Sequence, residues 1–259
     1  MIKKIIIFIT LILSMSGYSL AQKDTLYLSV ASSLYNVSKS LVEEWKKTNS
    51  TEVVIITGPT SLIARQIYNG QTSDIIITAN KDWLLWMNNK ELINIEEASL
   101  IAKNSLIFSS GVNKGFYIDI KSKNFREDFV DQLSSSKFPI PHPSTVPLGI
   151  YAKEALQSMG LWRLLEKKFV YTASSQSNLK FISNGDALVG ISYLSDAISS
   201  PNILIVAKID EKIFSYKKPT YWAAKIKRNE ADNDYDFIKW LRSIEAQRII
   251  KNYGFESIN

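Results

Sequence analysis

The 259-residue sequence contains no cysteine. That absence excludes disulfides, thiolate metal sites and cysteine nucleophiles, and with them lipid attachment through an N-terminal cysteine. A single histidine, His142, leaves little scope for imidazole catalysis or a histidine-based metal site. Its setting between Pro141 and Pro143 reads as a loop. Also missing are G-x-S-x-G, the phosphate-binding G-x-x-x-x-G-K-[ST], G-x-G-x-x-G and H-E-x-x-H. An enzyme would lack its usual nucleophile–base motif. There is no low-complexity linker and no short-period repeat.

Long apolar runs are scarce too, and the one that matters stands at the start. Lys3 and Lys4 precede an apolar stretch from Ile5 to Leu13, and small and polar residues follow down to Ser19-Leu20-Ala21. A positive segment, a short apolar core and an A-x-A-like site form a signal peptide over residues 1–21, with the mature chain beginning at Gln22. The apolar core is too short to span a membrane comfortably. The expected destination is the bacterial periplasm. Removing the two lysines of the leader from the 31 basic residues leaves 29 against 25 acids. That mild, scattered excess suits solubility and attraction of anions, and nucleic-acid binding is not expected.

From Thr25 onward, strand and helix patterns alternate. Leu26 to Ala31, Val53 to Ile56 and Asp74 to Ala79 read as buried strands. Between and after them, helices carry Leu34, Val37, Leu41 and Trp45, then Leu62, Ile63 and Ile67, then Asp82 to Asn89. The pattern restarts with strands at Ser105–Ser109, Phe138–Ile140, Phe169–Thr172, Leu188–Tyr193 and Ile203–Ile209, around a polar stretch from Phe116 to Ser136. Tyr221 to Ile226 is a further strand, and one closing helix is expected from Asp234 to Tyr253. Buried strands alternating with helices predict an α/β protein of two doubly wound lobes joined by two crossovers. The first lobe is placed at residues 22–104 and 217–259, the second at 105–216. Trp45, Trp83, Trp86 and Trp240 fall within helix patterns and read as packing rather than as a carbohydrate platform.

Five features fall at the carboxyl ends of strands, where open α/β sheets bind ligands. They are Ala31-Ser32-Ser33-Leu34, Gly58-Pro59-Thr60-Ser61-Leu62, Val146-Pro147-Leu148-Gly149, Thr172-Ala173-Ser174-Ser175 and Tyr193. Taken singly, each turn is an ordinary helix start. Ser33 would be an N-cap worth about 1 kcal/mol, Thr60 or Ser61 would cap a helix beginning near Leu62, and Pro147 would be an N1 proline. Tyr193 would be core, and Asp74 is as apt to fix a turn as to do chemistry. Taken together, and if they converge, unpaired N–H groups and hydroxyls at several helix starts would make a site for a small oxyanion.

The run Val146-Pro147-Leu148-Gly149-Ile150-Tyr151-Ala152-Lys153-Glu154-Ala155-Leu156, with Ala64-Arg65-Gln66-Ile67 and Lys251-Asn252-Tyr253-Gly254-Phe255, resembles the molybdate-binding proteins of ABC transporters, a family of bilobal type II periplasmic binding proteins. The resemblance implies a dianion held without counter-charges. Ser33 and Thr60 would supply hydroxyl and backbone donors, Leu148 and Ser175 backbone N–H groups, and Tyr193 a phenolic hydroxyl; molybdenum would be held as molybdate through these same residues. It further implies a receptor and not an enzyme, needing no cofactor. This receptor would be a monomer that captures molybdate or tungstate and delivers it to a membrane permease and its ATPase. Three positions depart from the family pattern. Pro59 removes one N–H, Leu148 replaces a small residue, and Ser175 adds a possible donor. A donor-only site favours a fully deprotonated anion, such as molybdate, tungstate or sulfate, over partly protonated phosphate. Rival readings are a receptor for sulfate or another tetrahedral oxyanion, an exported hydrolase on this scaffold, and a ferric-ion receptor using Tyr193 with carboxylates. Ser33→Ala and Tyr193→Phe are each expected to weaken oxyanion binding while leaving the circular dichroism spectrum native; wild-type affinity in both variants would refute the assignment.

Overall fold

The computed structural model describes residues 25–227 and 233–258; the leader expected over residues 1–21 lies outside them. Strands β1 (Thr25–Ala31), β2 (Glu52–Gly58) and β3 (Ile75–Thr78) run parallel, and β10 (Thr220–Lys225) and β4 (Ser99–Lys103) complete a five-stranded sheet in the order β2-β1-β3-β10-β4. Strand β10 pairs antiparallel with both β3 and β4. Because side chains alternate across a sheet, Ile75 and Ile77 join the core on one face and Ile76 the core on the other. Helices α1 (Tyr35–Trp45), α9 (Asn233–Trp240) and α10 (Ile244–Asn252) supply the first face with Leu41, Trp45, Phe237 and Ile250. Helices α2 (Thr60–Tyr68) and α3 (Lys81–Asn89) supply the second with Ile63, Ile67 and Leu84. Both faces being covered explains why β3 is apolar without alternation.

The chain between β4 and β10 builds a second core. Strand β5 (Leu106–Gly111) is central, antiparallel to β8 (Gly190–Tyr193) and to β9 (Ile203–Ile209). A separate parallel pair, β6 (Phe138–Pro141) and β7 (Phe169–Thr172), lies beside it. The sequence pattern predicts a second parallel unit here, but only β6 and β7 pair that way, and β5 hydrogen-bonds antiparallel to β8 and β9. Helices α4 (Phe125–Leu133), α5 (Pro147–Ser158), α6 (Trp162–Leu165), α7 (Ser175–Ser183) and α8 (Leu194–Ile198) surround these strands. Phe108, Phe129 and Phe138 form the aromatic centre, with Phe108 and Phe129 ring centroids 4.9 Å apart.

Three further differences from the sequence pattern have local causes. Strand β4 was not marked by periodicity and forms because β10 offers it an edge. Helix α4 lies inside the polar stretch at 116–136, where Phe125, Phe129 and Leu133 make one apolar stripe. The closing helix is two helices, since Ser243 accepts the Ala246 N–H at 3.2 Å and so caps a new start.

Two crossovers connect the cores. The chain passes from β4 to β5 through Asn104 and Ser105, and from β9 back to β10 through Pro219; the Asn104 N–H donates to the Pro219 carbonyl at 2.9 Å. Glu256 pairs with the backbone of Lys103 at the same place, and Lys218 bonds both Glu211 and Glu256.

Helix α5 starts against the end of β6. A Cβ on Gly149 would press on the Pro141 carbonyl and lie 2.6 Å from the His142 carbonyl oxygen. Backbone cannot yield as a flexible side chain can. Gly149→Ala is therefore expected to destabilise the protein by about 1–3 kcal/mol, the usual range for overpacking, read as a lowered melting temperature. An unchanged melting temperature would show that the helix start is free to shift.

Candidate functional site

Parallel pairing brings the first two turns together. Ala31 is the register partner of Gly58, so the segments leaving β1 and β2 are neighbours. Neither hydroxyl serves the helix that follows it. The cap position of α1 is Leu34, with no side-chain bond, so the N-cap reading of Ser33 does not hold. Ser33 is buried, and its Oγ lies 3.1 Å from the Tyr221 hydroxyl. Helix α2 begins at Thr60 itself, two residues before the expected start. Its cap residue Pro59 makes no side-chain bond, and the Pro59 carbonyl accepts the N–H groups of Leu62 and Ile63 at 2.9 and 3.1 Å. The N–H groups of Thr60 and Ser61 are thus the ones without an intrahelical partner. The Ala79 N–H donates to Thr60 Oγ1 at 3.3 Å, so the Thr60 hydroxyl proton is left to point elsewhere.

The same device recurs in the second core. Pro141 is the register partner of Thr172, which sets the starts of α5 and α7 side by side. Pro147 occupies the first turn of α5, and buried Leu148 and Gly149 come next, with the Ile150 N–H the first to reach back to Val146. At α7 the capping is done by Ser174, which accepts from Ser177 in a reciprocal pair. Ser175 is freed from that task and buried, and its Oγ meets Ser32 Oγ at 3.1 Å across the interface between the cores. Two further bonds cross there, from Gln176 Nε2 to the Ser32 carbonyl at 3.3 Å and from Trp83 Nε1 to the Thr145 carbonyl at 3.2 Å.

Tyr193 ends β8 with 1% of its surface exposed and makes no hydrogen bond through its hydroxyl. Its ring stands edge-on to Tyr221 at 6.1 Å. Burial, reinforced by Tyr221, Tyr151 and Asp196, pushes the phenol well above its ordinary range, so it remains a neutral donor. An unpartnered buried hydroxyl costs about 1–3 kcal/mol, and an oxyanion acceptor would relieve that cost. Ser33 and Ser175 are thus brought to the interface, with Tyr193 linked to Ser33 through Tyr221. Thr60 bonds the Ala79 N–H and Leu148 packs in the second core, and no hydrogen bond ties either of them to Ser33, Ser175 or Tyr193.

Periodicity did not single out Asn104, Tyr221 or Asp196. Asn104 and Tyr221 are fully buried and bonded to each other; in sequence they read as a loop residue and a core aromatic. Asp196 lines a cavity of about 150 Å³ with Ser33, Asn36, Gln176 and Tyr253. Its Oδ1 accepts weakly from Gln176 at 3.4 Å and its Oδ2 has no partner. Burial pushes this carboxyl up to about 8. Asp74 proves structural: its Oδ2 accepts the Tyr27 N–H at 2.6 Å and holds β1 to β3. His142 is an exposed loop residue. Among the described residues, no three His, Cys, Asp or Glu side chains gather to hold a metal ion.

The chain matches the family of bacterial extracellular solute-binding proteins over residues 26–256. It is 30% identical over 245 residues to the molybdate-binding protein ModA of Escherichia coli (strain K12), covering 93% of either chain. The corresponding protein of Haemophilus influenzae is 26% identical over 246 residues, again with 93% of each covered. The fold is similar to that of the periplasmic molybdate-binding protein of Azotobacter vinelandii, with a TM-score of 0.78 at 19% identity over 90% of this chain and 100% of that one.

Asp196 gives the folded protein a pH dependence of known sign. Folding raises its pKa from 3.8 to about 8, so the folded state holds a proton that the unfolded chain releases. Its contribution is fully present below pH 4 and lost as pH rises towards 8. Asp196→Asn is expected to melt progressively higher relative to wild type between pH 5 and pH 8.5. A constant difference across that window would show that the carboxyl titrates normally.

Proposed function

The chain belongs to the bacterial extracellular solute-binding proteins, and on that premise we propose that it is the periplasmic receptor that captures molybdate and delivers it to an ABC importer. The observation that carries the reading is the donor set. Ser33, Thr60 and Tyr193 present hydroxyls that no helix cap consumes, and the starts of α2, α5 and α7 add backbone N–H groups. Nothing in this set carries a formal positive charge. Preorganised neutral donors on a dianion form charge-assisted bonds, roughly twice as strong as neutral ones, and helix dipoles add to them. Leu148 contributes its backbone, so its size bears on cavity volume and hence on the choice among tetrahedral anions.

The same reading covers tungstate, an oxyanion of the same charge and geometry. It needs no resident cofactor and no chemical step, so the protein acts by binding and release. Residues 1–21 direct it across the inner membrane and are removed. A monomer with lobes at about 22–104 with 217–259 and at 105–216 closes on the anion and docks on the permease, whose ATPase drives import. Ligand contacts to both lobes favour the closed form by their difference in affinity for the two states.

Isothermal titration of protein beginning at Gln22, freed of oxyanions, tests this directly. Tight one-to-one binding of molybdate, matched by tungstate and unmoved by excess sulfate, is expected. A response to sulfate alone would transfer the receptor to that anion, and silence towards all three would overturn the reading.

A further inference from the structure

A chain of three buried polar groups leads from the crossover to Ser33. Asn104 stands at the crossover between β4 and β5, Tyr221 at the beginning of β10, and Ser33 behind the end of β1. Asn104 Nδ2 donates to the Tyr221 hydroxyl oxygen at 3.2 Å, and the Tyr221 and Ser33 hydroxyls are 3.1 Å apart. All three are at least nine-tenths buried, Asn104 and Tyr221 completely.

The direction of the Asn104–Tyr221 bond is determined at the Asn104 end. Its Oδ1 accepts the Ser105 N–H at 2.9 Å and, more weakly, the Ser195 N–H at 3.5 Å. Backbone N–H groups can only donate, so the oxygen of the amide must face them and the NH2 must face Tyr221 and Ser195 Oγ, the latter at 2.8 Å. Tyr221 oxygen therefore accepts from Asn104, which leaves its single proton available for Ser33 Oγ at 3.1 Å. In that arrangement Ser33 gives its own proton away from Tyr221. Burial, with the nearby Asp196 charge, holds the Tyr221 phenol well above its ordinary range, so the proton is present at every physiological pH.

We propose that Tyr221, oriented by Asn104, is a positioning residue that aims the Ser33 hydroxyl proton at the bound anion. A serine hydroxyl can otherwise donate or accept, and an acceptor facing a dianion repels it. With the relay in place, Ser33 is a committed donor, polarised by the bond it receives. Because Asn104 lies in one crossover and bonds the carbonyl of Pro219 in the other, the donor is set by the same segment about which the two halves of the chain connect. The inference rests on the oxyanion-receptor reading and deepens it.

The test is a double-mutant cycle on molybdate affinity, measured by titration calorimetry in the Ser33 and Ser33→Ala backgrounds. Tyr221→Phe keeps the ring that packs on Tyr193 and Phe255 and deletes the hydroxyl. Asn104→Asp keeps the shape and substitutes an acceptor for the donor, turning the Tyr221 proton away from Ser33. Its added charge acts in both backgrounds and cancels in the cycle. Each substitution is expected to weaken molybdate binding about fivefold more when Ser33 is present than when it is Ala, the fold-change of one net hydrogen bond. A general disturbance of the fold would cost the same in both backgrounds, and an equal loss for either variant overturns the proposal. Wild-type protein that binds molybdate alongside variants of unchanged affinity also overturns it, leaving the receptor reading intact. Wild-type silence towards every oxyanion would overturn both.

Discussion

Every helix start leaves backbone N–H groups that water, a side chain or a ligand must satisfy, and this protein spends its polar side chains selectively on that need. Ser174 and Ser243 cap the helices behind them in the ordinary way. Ser33 and Thr60 do not, although each stands where a cap would be expected. Helices α2 and α5, which begin at strand ends, likewise start without a side-chain cap, as α1 does. An open donor at a water-filled surface costs nothing, but the same donor in a dry interface costs about 1–3 kcal/mol. Contact between the two halves and occupation by an acceptor are therefore favourable together and unfavourable apart.

The cores supply the rigidity that such a site requires. Parallel pairing of β1 with β2, and of β6 with β7, delivers two helix starts side by side on each half. Gly149 lets α5 approach the last carbonyls of β6, and Pro147 fixes the first turn without needing a partner for an N–H. On the oxyanion-receptor proposal small errors would matter, because neutral donors would recognise an anion by distance and number of hydrogen bonds.

Connection between the halves is largely polar. Ser32, Ser175, Gln176 and Asn104 make the hydrogen bonds across or beside the interface, whereas Leu28, Phe108 and their neighbours stay within their own cores. Tyr193 of one core and Tyr221 of the other also meet edge-on, so the two halves are joined by hydrogen bonds and one buried aromatic contact.

Much of this was legible in the residues alone. Apolar strands bounded by Ser, Thr, Pro and Gly marked β1, β2, β3, β6 and β7, because strand burial and helix initiation leave local signatures. The hydroxyls and open N–H groups of the turns were legible for the same reason: a helix start advertises its donors within four residues. Pairing was not legible, since β5 could as well have joined a parallel unit; only its hydrogen bonds to β8 and β9 made that sheet antiparallel. Nor could periodicity separate Tyr221 from a core aromatic, or Asn104 from a loop residue. Their role depends on contacts across 117 residues of chain in one bond and 188 in the other, and a hydroxyl's direction is set by what faces it in space. Composition and local pattern determined the donors; the tertiary structure decided which of them were left unpaired and where they meet.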